Sequence, residues 1–245
     1  MSQNTLDKPH VTWHFENTKD TPIAVPSEGA MARYRRMGYE PEDFYEHFPC
    51  FLGAKYISRF LSLYECYQKT LGLAGHIAEV GVYRGAVTLF FAKLVVLYET
   101  HAITQVHGFD IFDREAKAPE WEETGYSYHE NYQRVKDLIE VQGLQSHALL
   151  HQLDARTELE EFFQKHNHLQ FKLIFLDAGD YEIVRSCIKE FWPRMPIGGI
   201  MIFDQYNHEV APGETRAARE CLPPGAVLRT FPNGWMPTAY VVKER

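Results

Sequence analysis

Cysteine is scarce in this chain, and what little there is does not cluster. Four residues, at positions 50, 66, 187 and 221, show neither Cys-x-x-Cys nor Cys-x-x-x-Cys spacing. That scatter suits reduced, mostly buried thiols better than a disulfide framework or a zinc site. A surplus of positive charge is also missing. Lys and Arg number 25 against 33 Asp and Glu, for a formal net charge of −8. Such a balance argues against sequence-blind affinity for nucleic acid or an anionic membrane. No apolar run approaches the roughly 18 residues of a spanning helix. The opening stretch "MSQNTLDKPHVTWHFENTKD" has no apolar core of a secretory signal. A cytoplasmic protein is therefore expected. Internal repeats, low-complexity tracts and the dinucleotide fingerprint Gly-x-Gly-x-x-Gly are absent as well.

What remains is an ordinary globular composition, 45% hydrophobic and 24% charged over 245 residues. This is enough for one large α/β domain with a good core. Residues 1 to about 30, with Pro9, Pro22 and Pro26 among polar neighbours, read as an arm. Arg33, Arg35 and Arg36 form a small basic cluster beside many acids and read as a solvated face or an oligomer contact. "KYISRFLSLYECYQKTLGL" carries Ile57, Phe60, Leu61, Tyr64 and Tyr67 or Gln68 at helical spacing, so an amphipathic helix is expected, stopped by Gly72 and Gly75.

After Gly75 the pattern becomes short apolar runs alternating with helical stretches. The strands expected are "HIAEVGV", "QVHGFDIF", "HALLHQLDA", "FKLIFLDAG" and "GGIMIFDQY", each followed by a helix. Two late strands, "AVLRTFP" and "TAYVVKE", flank the turn "PNGWMP" and read as an antiparallel hairpin at the sheet edge. The expected fold is thus α/β: a Rossmann-like, doubly wound, mostly parallel seven-stranded sheet with a C-terminal antiparallel hairpin and an N-terminal helical extension. Ligands of such a sheet bind at the carboxyl ends of its strands, where the strand order reverses.

Acids collect at those ends. Glu79, Asp110, Asp154, Asp177 and Asp204 follow the five strands in turn. A lone acid there usually caps a helix or shapes a turn; five in succession suggest one shared site. The first turn reads Glu79-x-Gly81-x-x-x-Gly85, and both glycines permit a tight corner and the close approach of a ligand. An acid beside a helix start repels a pyrophosphate but suits a cationic ammonium. Asp110 stands where an acid accepts hydrogen bonds from a ribose diol. Amino-acid-like cation plus ribose describes S-adenosylmethionine.

The stretch from about Ile77 to Tyr206 resembles the class I methyltransferases, and more narrowly the macrocin-type sugar O-methyltransferases of macrolide and aminocoumarin biosynthesis. The matching segments are "EVGVYRGA", "GFDIFD", "LIFLDAGDYE" and "PIGGIMIFDQY". The resemblance implies S-adenosylmethionine and a magnesium ion, a hydroxyl of a deoxysugar or sugar nucleotide as acceptor, and a homo-oligomer. By it, residues 1–74 form an arm and helical extension for substrate or oligomer contacts, and residues 75–245 the cofactor-binding domain. Glu79, Gly81, Tyr83, Arg84 and Gly85 are expected around the methionine part, Asp110 at the ribose and Asp154 beside the adenine. Asp177 and Asp204, with Gln205, are the implied metal ligands. The sequence departs from the family in two places. It reads Asp177-Ala178-Gly179-Asp180 where Asp-Gly-Asp is typical, and Asp204-Gln205 where paired acids are.

Methyl transfer from a sulfonium is an in-line displacement that needs an aligned oxygen and a group to take its proton. Asp180 is the first choice for general base, or else a cap for the helix from Tyr181. Asp177 is counted with it as a catalytic candidate, and also among the residues expected to contact the cofactor. His208 in "DQYNHE" is a base, a substrate contact or a structural residue. Arg84 holds a carboxylate or phosphate of the substrate, or a surface ion pair. The long connection "DREAKAPEWEETGYSYHENY" carries Trp121, Tyr126, Tyr128 and Tyr132 and reads as a lid, or as packing for the N-terminal region or another subunit. Three readings follow: a metal-assisted sugar O-methyltransferase, a metal-independent methyltransferase of another small molecule, and a non-catalytic protein that keeps the fold.

Overall fold

A computed structural model of the chain describes residues 33–34, 36–114, 130–209, 211–232 and 234–244. The expected N-terminal arm, and Trp121, Tyr126 and Tyr128 of the expected lid, lie outside these residues. The chain divides into two units, residues 1–57 and 58–245. In the first, helix α1 (Pro41–Glu46) starts with a proline and a reciprocal cap between Glu40 and Asp43. A short 3-10 turn, Phe48–Cys50, follows it, and Phe44 and Phe51 pack ring on ring at 4.5 Å. Helix α2 (Ala54–Thr70) runs across the boundary between the units.

The second unit alternates strand and helix as the hydrophobic pattern predicts. Its elements are β1 (His76–Val80), α3 (Ala86–Tyr98), β2 (Val106–Asp110), α4 (Tyr132–Val141), β3 (Ala148–Gln152) and α5 (Leu159–Lys165). Then come β4 (Phe171–Leu176), α6 (Tyr181–Phe191), β5 (Ile200–Phe203), α7 (Pro212–Cys221), β6 (Leu228–Thr230) and β7 (Ala239–Val242). The strands form one sheet in the order β3-β2-β1-β4-β5-β7-β6. β1 to β5 are parallel, and β7 runs antiparallel to both β5 and β6. The expected hairpin is there, with its second strand as the inner one.

Both faces of the sheet are covered, which is why its strands read as nearly unbroken apolar runs. All of β4 and all of β5 are buried. Alternation sorts their side chains between two cores. Ile174, Leu176, Met201 and Phe203 pack with Leu159 and Phe163 of α5, Val184 and Ile188 of α6, and Ala217 and Ala218 of α7. Leu173, Phe175, Ile200 and Ile202 pack with Leu63 and Tyr67 of α2, Phe91 and Val95 of α3, and Ile139 of α4. Each such aromatic or aliphatic side chain contributes roughly 1.5–3 kcal/mol on burial.

The cysteines are free, Cys66 and Cys187 buried and Cys50 exposed. No helix among the described residues is long and apolar enough to cross a membrane. The strand order reverses between β1 and β4, so the ligand crevice of such a sheet lies at their carboxyl ends.

Candidate active site

The parallel ladder itself brings the acids together. Past the last paired residue of each strand, one more backbone bond holds the acid in line: Asp177 N–H donates to Val80 O at 2.8 Å, and Asp204 N–H to Leu176 O at 3.0 Å. Asp177 and Asp204 therefore leave neighbouring strands at the same height. The turn after β1 has to clear them. Gly81 has φ +94°, and a Cβ there would stand 2.0 Å from Asp177 O, so no side chain fits. Gly85, at φ +82°, is the left-handed residue before α3, and a Cβ there would stand 2.9 Å from Val135 Cγ1, too close without a shift of that side chain.

Asp110, at the end of β2, sits in a cradle made by strained backbone. Tyr83 and Phe112 have φ +49° and +54°, a left-handed conformation that costs a non-glycine residue about 1–2 kcal/mol. In that conformation both amides turn onto Asp110: Tyr83 N–H donates to Oδ2 at 2.9 Å and Phe112 N–H to Oδ1 at 2.8 Å. The carboxylate is fixed at the mouth of the crevice and keeps acceptor capacity for a diol.

Beside it lies a closed ring of four side chains. Arg59, from α2, donates through Nη1 to Asp204 Oδ1 at 2.5 Å and through Nη2 to Asp177 Oδ2 at 2.7 Å. Gln205 closes the other side, its Nε2 donating to Asp204 Oδ2 at 2.7 Å and to Asp177 Oδ1 at 3.0 Å. The Asp204 side chain is 2% exposed and the Asp177 side chain 27%, so Asp177 is the one that faces the crevice. Arg59 also lies over the Phe175 ring, 5.3 Å from its centre. Burial alone would lower the Arg59 pKa, but Asp204 and then Asp177 outweigh it and raise it. Burial pushes the Asp204 carboxyl up, with Arg59 opposing and Asp177 adding to the rise. A guanidinium does not give up its proton, so the ring keeps its positive charge.

Two more acids surround this ring. Glu79 is 2% exposed and accepts a short hydrogen bond from Thr88 Oγ1. Burial raises its pKa well above the ordinary value. Glu214, at the start of α7, is wholly buried and accepts from Gln205 N–H at 2.8 Å; burial, and then Asp204, push it the same way. Gln205 Oε1 and Glu214 Oε2 are buried with no hydrogen-bond partner. Arg59, Thr88 and Glu214 were not anticipated from the sequence.

The other expected site residues fall as follows. Asp180 serves as N-cap of α6, its Oδ1 accepting from Glu182 N–H at 2.9 Å and Ile183 N–H at 3.2 Å. The extra residue in Asp177-Ala178-Gly179-Asp180 brings the second acid to the cap position, which favours the capping alternative over the general base. Asp154 is gripped by Arg156, whose Nε stands 2.9 Å from Oδ1 and Nη2 3.0 Å from Oδ2. Arg84 is largely exposed, lies over the Tyr83 ring and pairs with Glu130 at 3.3 Å, the surface-pair alternative. His208 is half-buried in the turn between β5 and α7, and that burial lowers its pKa. Tyr132 of the expected lid packs edge-on against Phe112.

These residues do not fit the magnesium ion implied by the resemblance. Every oxygen of Asp177 and Asp204 already accepts from Arg59 or Gln205. Gln205 presents its NH2 to both carboxyl groups, rather than the oxygen a metal needs. A dication about 4 Å from the guanidinium would be repelled by roughly 8 kcal/mol at an effective dielectric of 20. Among the described residues no three His, Cys, Asp or Glu side chains gather in a way that could hold an ion.

A family model described as a methyltransferase domain matches residues 78–206. No curated protein matches the chain. Among solved structures, the crystal structure of CalS11, a calicheamicin methyltransferase, superposes with a TM-score of 0.73 at 22% identity, covering 88% of this chain and 93% of its own. An apo structure of CalS11, described as a TDP-rhamnose 3'-O-methyltransferase of calicheamicin biosynthesis, gives 0.69 at 23% identity over 92% and 99%. The O-methyltransferase NovP gives 0.63 at 16% identity over 79% and 81%.

Proposed function

Because this chain belongs to the methyltransferase-domain family, we propose that it moves a methyl group from S-adenosylmethionine to a hydroxyl of a sugar or sugar nucleotide. The observation that carries the cofactor assignment is the Asp110 carboxylate, fixed by the Tyr83 and Phe112 amides beside a Gly81 turn that leaves no room for a side chain. A ribose diol finds two oriented acceptor oxygens there. The methionine ammonium finds Glu79 and the Asp177 face of the acidic crevice, where a cation relieves the cost of burying acids. The sugar acceptor rests on likeness of fold to CalS11, whose description names TDP-rhamnose.

When bound, S-adenosylmethionine supplies an electrophilic methyl group. The rest falls to the chain. The glycine turn and Asp110 fix the cofactor, and the crevice aligns the acceptor oxygen behind the methyl carbon. The proton of that hydroxyl needs an acceptor, and the residue we assign is His208, whose backbone N–H donates to the carbonyl of Gln205, a member of the ring, at 3.1 Å. Its lowered pKa keeps the imidazole neutral at physiological pH and able to take a proton. His208→Asn is expected to lower kcat about 100-fold with cofactor affinity unchanged. The reading is tested by calorimetric titration with S-adenosylhomocysteine, followed by a screen of TDP-sugars for methyl transfer. Failure to bind S-adenosylhomocysteine would overturn it.

A further inference from the structure

We infer that the site carries its own cation, Arg59, and that methyl transfer in this chain proceeds without a divalent metal ion. The inference rests on the proposed methyltransferase reading and settles how the acceptor hydroxyl is activated. Three features lead to it. The guanidinium bridges Asp177 and Asp204 at 2.7 and 2.5 Å, in the place where the resemblance expects an ion. Gln205 offers the same carboxylates an NH2 group and seals the other side. A third acid is not offered from the β4 loop, since Asp180 holds the first amides of α6.

The planar fork of an arginine matches two carboxylates at once, which an ammonium cannot do. Phe175 lies beneath the guanidinium, its ring centre 5.3 Å from Cζ. Nη1 and Nη2 each carry a second hydrogen, and the Arg59 side chain is 17% exposed, so it reaches the crevice. Those hydrogens can bind the acceptor oxygen and stabilise the negative charge that develops there. The step balances without a metal. The O–H proton passes to His208, the oxygen bonds to the methyl carbon, and the carbon–sulfur bond breaks with its electron pair left on sulfur.

The test is titration of metal-stripped protein with Mn2+, followed by electron paramagnetic resonance, with and without S-adenosylhomocysteine. The expected result is no stoichiometric Mn2+ site, with S-adenosylhomocysteine bound equally well in EDTA. One Mn2+ per chain, lost in Asp204→Asn, would overturn the inference. Once an acceptor is known, turnover is expected to change less than twofold in EDTA; loss in EDTA restored by Mg2+ would also overturn it. Arg59→Met is expected to lose at least 100-fold in turnover while S-adenosylhomocysteine affinity moves less than threefold, and Arg59→Lys is not expected to restore it. The Mn2+ arm uses the unaltered chain, so a variant that misfolds does not blunt the test. Failure to bind S-adenosylhomocysteine with or without metal would instead sink the methyltransferase reading itself.

Discussion

Lys172 and Arg59 are both cations drawn into the interior of the sheet, but they keep different company. Lys172, near the start of β4, is 1% exposed and donates to Glu99 Oε2 at 2.6 Å. Glu99 also accepts from Thr104 Oγ1 at 2.7 Å and from Tyr67 OH at 2.9 Å. Burial pushes the Glu99 carboxyl up, yet those donors outweigh it and hold it below its ordinary value. Arg59, at the other end of the strands, faces a surplus of acids: Asp177 and Asp204 directly, Glu79 and Glu214 around them. Donors run short there, and two buried oxygens go without a partner. A cluster that satisfies its own polar groups serves stability; one that leaves them wanting is set up for a ligand.

The sharpest way to break this comparison is Lys172→Met. It strands Glu99 inside a dry network and should cost about 3–5 kcal/mol in urea denaturation. The folded fraction should still bind S-adenosylhomocysteine with unaltered affinity; a loss of affinity would mean the two clusters are coupled.

Histidines form a third buried polar set, with His107 Nδ1 and His151 Nε2 3.0 Å apart. Burial pushes these imidazoles down to about 3 and about 4. Folded values below the ordinary 6.5 mean that the native state binds fewer protons, so their contribution is lost as pH falls from 6.5 toward 4. Replacing both by Phe should therefore yield a variant whose stability relative to the parent improves by roughly 5 kcal/mol between pH 7 and 4.5. A pH-independent difference in chemical denaturation would refute it.

Gly81→Ala probes the site's tightest approach. Ala at φ +94°, with its Cβ 2.0 Å from Asp177 O, should lose roughly 2–5 kcal/mol from strain and overlap together and weaken S-adenosylhomocysteine more than tenfold by calorimetry. Wild-type affinity in this variant would remove Gly81 from the cofactor site. The smallest effect is expected at Asp180. Asp180→Ala should lose about 1 kcal/mol as a missing cap, and Asp180→Asn almost nothing. A large fall in kcat for Asp180→Asn would restore it as the base.

The alternation of strands and helices was plain in the sequence because buried parallel strands are short apolar runs and their crossovers keep helical spacing. The strand ends were less so: "FKLIFLDAG" runs three residues past Leu176, where β4 stops and the acid Asp177 begins the turn. The acids at those ends were visible by position alone. Arg59 was not, because the helical spacing of Ile57, Phe60, Leu61 and Tyr64 marks an apolar stripe and says nothing of which charge on the helix turns inward. Leu61 is 58% exposed, whereas the buried side of α2 runs through Leu63, Cys66, the expected Tyr67 and Thr70, with Arg59 a turn ahead. Glu214 was hidden in the same way: "PGETRAARECL" reads as a polar helix start, and its burial comes from the β5 turn folding over it. Periodicity locates elements, but the partner of a charge is set by tertiary contact.

The position of β7 between β5 and β6 bears on how the chain is made. β5 ends at Phe203, but the strand that pairs with its free side begins only at Ala239. On a ribosome the outer edge of apolar Ile200–Phe203 waits without its β7 partner until some forty further residues have been added. During that interval the nascent sheet shows a bare hydrophobic edge of the kind that recruits other chains. Slow elongation or a stall before Ala239 therefore prolongs the exposure of that edge to other chains.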